Sequence, residues 1–200
     1  MSPVIYGGGT YELDAEQIKL NAYRLGCLFF ANKEIARRSD PASPSAAAQL
    51  EHHFFVREMS HLLLQIAIAL RVMDDQVRAR PNDDAKRGEY FRQRDDTDRQ
   101  FHCMMFDDMP LREVCNKIIH ALIVEPNLAD AVESHHLDDL ANEFACPEDA
   151  EDGGAIQWDP VKWRHLDGNI RLVGRKGGEE WYQLLEVPRF VEAIASLLRN

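Results

Sequence analysis

Residues 46–80 read AAAQLEHHFFVREMSHLLLQIAIALRVMDDQVRAR, and their spacing is helical throughout. Phe55, Met59, Leu62, Leu63, Ile66, Leu70, Met73 and Val77 fall within about 100° of arc at 3.6 residues per turn, which predicts one long amphipathic helix. A second stripe, His61, Leu64, Ile68 and Val72, lies on roughly the opposite side. A helix that is apolar on two sides is either central in a bundle or shared with a partner chain. The spacing predicts a central helix here, with a dimer contact as the alternative.

Working outward, Leu13 to Arg38 also reads as a helix, with Asp14 able to cap its start and Ile18, Ala22, Leu25 and Phe29 recurring on one face. Residues 1–10, with Gly7-Gly8-Gly9, read as a flexible leader. Pro41 and Pro44 make 39–45 a loop, because two prolines forbid a continuous helix. On the other side, residues 78–99 mix seven basic with six acidic side chains. Such a segment buries little, so a mobile connection is expected, with a short helix around Tyr90 and Phe91. An arginine-bearing loop gating a phosphate site is its functional alternative.

Asp108 to Val124 reads as a helix: Asp108 caps it, Pro110 suits the first turn, Leu111, Cys115, Ile118 and Leu122 form a stripe, and Pro126 ends it. A further acidic helix is expected over Asp130–Phe144, then an acidic loop from Pro147 to Gly154. Alternation from Ile170, the aromatic and aliphatic run Trp181–Val187 and the turn signal Arg175-Lys176-Gly177-Gly178 predict a β-hairpin. Pro188 opens a last helix with Phe190, Ile194 and Leu197 or Leu198 on its apolar face. The expected fold is mainly α: a flexible leader at 1–10, a helical bundle at 11–145, and an acidic loop, β-hairpin and closing helix at 146–200 packed on that bundle.

Composition narrows the classes. The 200 residues carry 23 basic and 34 acidic side chains, a net charge of −11, which argues against a general duplex-coating protein. The four cysteines, Cys27, Cys103, Cys115 and Cys146, form no C-x-x-C pair. Reduced thiols in a cytoplasmic protein fit them better than a disulfide framework. No signal-peptide pattern and no bilayer-length apolar run are seen, so no membrane association is expected. Phosphate-loop, dinucleotide and nucleophile-elbow motifs are absent. Neither His52-His53 nor His135-His136 with Asp138-Asp139 has the spacing of a zinc site. The acid doublets Asp74-Asp75, Asp83-Asp84, Asp95-Asp96 and Asp107-Asp108 reflect acidic composition. No metal and no cofactor are expected. Trp158, Trp163 and Trp181 are expected to glue the hairpin to the bundle rather than to stack on bases.

One segment offers chemistry. In Leu111-Arg112-Glu113-Val114-Cys115-Asn116-Lys117-Ile118-Ile119-His120, the side chains Arg112, Asn116 and His120 are spaced i, i+4, i+8 and form one polar stripe beside the apolar one. Asn116-Lys-Ile-Ile-His120 resembles the motif of the HEPN family, small helical bundles that are commonly dimeric and many of which are metal-independent ribonucleases of defence and toxin–antitoxin systems. The resemblance covers this helix and the order of helices before it. Asn116 and His120 match the family's polar and histidine positions, whereas Cys115 stands where its arginine is expected. The resemblance implies His120 as the group that takes the 2′-hydroxyl proton, and Arg112 as a cation for the phosphorane charge if it reaches across two turns or acts on a partner's site. It leaves both an active ribonuclease and a catalytically degraded, RNA-binding version open. The alternative is a non-catalytic dimeric interaction or accessory module, in which Asn116 and His120 only satisfy hydrogen bonds. A homodimer is expected, with RNA or another protein as partner.

Overall fold

The computed structural model describes residues 13–39, 43–133 and 161–199. The elements run α1 (Ala15–Arg37), α2 (Ala46–Arg78), α3 (Ala85–Gln100), α4 (Leu111–Ile119), β1 (Ala121–Glu133), β2 (Val161–Lys176), β3 (Glu179–Glu186) and α5 (Val187–Leu197). The fold is mainly α, with a small three-stranded antiparallel sheet in the order β1-β2-β3 and a closing helix. No described helix is long and apolar enough to cross a membrane.

The two long helices begin where their caps dictate. Asp14 accepts from the amides of Glu16 (2.9 Å) and Gln17 (3.3 Å), and Ser45 Oγ accepts from Ala48 N (3.2 Å). They pair antiparallel through Ile18, Ala22, Leu25 and Phe29 against Phe55, Met59, Leu62 and Ile66, all buried, with the rings of Phe29 and Phe55 edge to face at 5.3 Å. Each fully buried aliphatic side chain of this kind stabilises by about 1.5–3 kcal/mol. The sheet lays Ile170, Leu172 and Leu185 against the same core, and α5 closes it with Phe190 and Ile194. Asn32 ties the layers together: it donates to Glu51 on α2 (2.8 Å) and accepts from Leu166 N on β2 (2.6 Å).

The hairpin turn falls at Gly177-Gly178, both with positive φ (63° and 90°), as the Gly-Gly signal predicts. Four expectations are corrected. Residues 85–100 form a helix rather than a mobile connection, because Asp84 caps it through the amides of Lys86 and Arg87, and opposite charges three and four apart, such as Arg94 and Asp98, lie on shared faces. The helix from Asp108 is shorter than expected. His120 is its C-cap, and Leu122, Ile123 and Val124 lie in β1, opposite Val173 and Leu172 of β2. An apolar run suits either period, and pairing with β2 settles it. Pro126 therefore breaks no helix; it sits in a sheet-edge strand beside a register shift, where a missing N–H is tolerated. Asp130 to Glu133, expected to start another helix, continue β1; 134–144 and the acidic loop at 147–154 lie outside the described residues, as do Trp158, His135-His136 and Cys146. Finally, α2 is not covered on two sides by described residues. Leu64 and Ile68 are 44% and 46% exposed, and His61 is exposed.

Candidate functional site

The chemistry of this chain gathers on opposite sides of α2. The inner side holds Asp74, which follows Leu70 by four residues and so continues the buried stripe; it is only 2% exposed. A carboxylate at a core position needs partners. Arg78 Nε donates to Asp74 at 2.8 Å, Arg94 of α3 at 3.3 Å, Tyr90 Oη at 3.4 Å, and Arg112 of α4 also donates to it. Arg112 reaches Asp75 as well, at 2.8 Å. Burial alone would raise the Asp74 pKa, but the Arg78 hydrogen bond and the charges of Arg112 and Arg78 prevail and hold its carboxyl below the ordinary carboxylate value. Burial and the adjacent Asp74 charge push the Tyr90 hydroxyl upward, so it stays a donor.

A neighbouring carboxylate has the opposite balance. Asp98 accepts from Leu111 N at 2.7 Å and so caps α4 from α3, because the local cap residue, Pro110, supplies no side-chain acceptor. Burial raises its pKa. Burial likewise pushes the Cys103 thiol up to about 12, and drives that of Cys115 upward too, so neither buried sulfur is a ready nucleophile. The free space among Leu70, Asp74, Arg94, Arg112 and Cys115 is about 10 Å³. That is room for one water at most, so the arginine cluster does not receive a phosphate.

The structure places the three residues of the polar stripe differently from one another. Arg112 turns inward, committed to Asp74 and Asp75. Asn116 is half-buried and donates to Glu113 on its own helix at 3.1 Å. His120 ends the helix with an exposed ring that makes no hydrogen bond to any described residue. Its backbone carbonyl is wedged at Gly174, where a Cβ would lie 2.8 Å from that oxygen and 2.2 Å from the Trp181 ring. Trp181 in turn carries the Lys117 ammonium over its face at 4.2 Å. Arg112 and His120 therefore do not meet within one chain. Trp181 is half-buried and packs against the core, as expected for a residue that fastens the sheet, whereas Trp163 is buried beside His165 of its own strand and outside the core cluster. Asp74, Arg78, Tyr90 and Arg94 are the chemically distinctive residues that the stripe did not nominate. An acid on the Ile66–Leu70 stripe was the signal for the first of them. Among the described residues, no three His, Cys, Asp or Glu side chains come together as a metal site requires.

The outer side of α2 is apolar and uncovered by described residues. Leu50, Phe54, Leu64 and Ile68 are 60%, 49%, 44% and 46% exposed. Beside them an open groove of about 640 Å³ runs between α1 and α2, walled by Cys27, Ala31 and Ile35 on one side and Leu50, Phe54 and Phe55 on the other. Arg24, Glu51 and Glu58 stand among its lining residues. A second recess, of about 770 Å³, lies among α2, α3 and the end of α5, and its charged lining is Arg80, Lys86 and Arg199 against the single acid Glu89, so cations predominate there. Comparison with protein-family models, with curated proteins and with solved structures yields no match.

Proposed function

We propose that this chain is a non-catalytic interaction module whose working surface is the outer face of the α1–α2 hairpin. The observation that carries this reading is the division of α2: its arginine partners are consumed by Asp74 and Asp75, while Leu50, Phe54, Leu64 and Ile68 stay exposed beside an apolar groove. Two exposed apolar pairs on one stripe, with the polar Arg57 and His61 between them, mark an association surface. The homodimer expected from the sequence is one form such association takes. The net charge of −11 weighs against RNA as the main partner.

A second reading, RNA binding or cleavage in a defence or toxin–antitoxin type role, draws on one feature: the exposed, unpaired ring of His120, with Lys117 one turn before it. One experiment separates the two. RNA is incubated with the parent chain and with His120→Ala in EDTA, with both folds checked by circular dichroism. The module reading expects no cleavage that depends on His120, and a change in stability within about 0.5 kcal/mol, as for an exposed side chain. Chelator-resistant cleavage by the parent that disappears in His120→Ala overturns it.

A further inference from the structure

The outer face of α2 has an order that selects its partner. One stripe of the helix carries the exposed positions Leu50, Phe54, Arg57, His61, Leu64 and Ile68, within about 80° of arc at 3.6 residues per turn, with His53, Val56 and Glu58 exposed to its flanks. The stripe's spacings are four, three, four, three, four, and the sequence of kinds is apolar, apolar, polar, polar, apolar, apolar. Both series read the same from either end. The alternation of threes and fours is that of a coiled-coil seam, and the mirror order lets each apolar position meet an apolar one in an isologous two-fold contact.

We infer that this face pairs with the same face of a second copy, α2 against α2 antiparallel, with the two-fold axis near residue 59. This rests on the reading of the α1–α2 face as an association surface and names its partner. In that register Leu50 and Phe54 of one copy meet Ile68 and Leu64 of the other. The apolar groove beside Leu50 and Phe54 then receives the partner's Leu64 and Ile68 at its mouth. At the centre, Arg57 and Glu58 are both exposed, and neither is paired with any described residue. The antiparallel register lets Arg57 of each copy reach Glu58 of the other, so the two unspent charges are satisfied twice over.

Asn21, Gln65 and His61 form a hydrogen-bonded chain (3.2 and 2.9 Å) that fixes the His61 ring beside this centre. A polar centre between apolar ends sets register, since sliding the seam would bury these groups against leucine. From Leu50 to Ile68 the seam spans about 27 Å at 1.5 Å per residue. With a face two helices, or about 20 Å, wide, the footprint is about 500 Å² per copy, below the roughly 800 Å² of a standard interface. A reversible dimer in the micromolar range is expected.

The test is sedimentation equilibrium of the whole chain from about 1 to 500 µM. The parent is expected to pass from monomer to dimer across this range, whereas Leu64→Glu/Ile68→Glu stays monomeric with its melting temperature nearly unchanged. Arg57→Glu and Glu58→Arg are each expected to weaken self-association at least tenfold. Mixed together they form a heterodimer, because the swapped charges again meet their opposites. A parent that is monomeric at 500 µM, a double-glutamate variant that still dimerises, or charge variants that fail to rescue each other in the mixture overturns the proposal. Those outcomes leave the interaction reading standing with another partner, whereas His120-dependent RNA cleavage overturns that reading whatever the oligomeric state.

Discussion

The two sides of α2 break the ordinary rule of burial in opposite directions. On one side a carboxylate lies in the core, and on the other leucine, isoleucine and phenylalanine lie in water. The first exception is resolved within the chain, because α2, α3 and α4 send three guanidiniums and Tyr90 to Asp74. The second is not resolved by any described residue. A buried charge so fully partnered specifies how the chain's own helices dock. An apolar strip with no cover specifies a contact that the described chain does not make for itself.

The comparison predicts a graded set of effects. Asp74→Ala is the largest, because it leaves Arg78, Arg94 and Arg112 facing one another around a void. A loss of about 3–5 kcal/mol is expected, as when a buried ion pair loses one partner, read as a fall in the denaturant midpoint. Arg112→Ala removes one of several donors and should cost about 1–3 kcal/mol, with no change in oligomeric state. A smaller loss than that of a surface charge would return Arg112 to the list of residues free for chemistry.

Acid probes the same node. The Asp74 pKa is lowered by folding, so its contribution is complete above the unfolded carboxylate value of about 3.9 and is lost as pH falls through the lower folded value. Asp98, raised by burial, has the opposite sign. The melting temperature of the parent should therefore fall more steeply below pH 4 than that of Asp74→Asn, and equal slopes would remove Asp74 from the account. On the outer side, glutamate at Leu64 or Ile68 should change stability least, within about 0.5 kcal/mol for an exposed position. A large loss there would mean the strip is covered within the chain.

Much of the helical framework was legible. Ile18, Ala22, Leu25 and Phe29, and Phe55 to Leu70, are spaced so regularly that burial followed from period alone, and the Gly-Gly turn named its own hairpin. The readings that erred did so where a local pattern fits two structures. Leu122-Ile123-Val124 continues the stripe of α4 as well as it makes a strand, and only β2, some 50 positions on, distinguishes the two. The charged segment after Arg78 looked unable to fold because its value lies in a distant acid, and Arg94 is worth burying only when Asp74 waits for it. For the candidate site, the spacing of Arg112, Asn116 and His120 placed them along one short helix and its cap. It could not show that the first turns inward while the last stays in water.

Asn32 has a consequence of another kind. One amide group spends its donor on α2 and its acceptor on β2, linking positions 134 apart in the chain. The helical hairpin and the sheet thus share a polar fastening beside their common core, and opening either layer there breaks a bond to the other. The amide at position 32 therefore couples the α1–α2 hairpin directly to β2, the middle strand of the sheet.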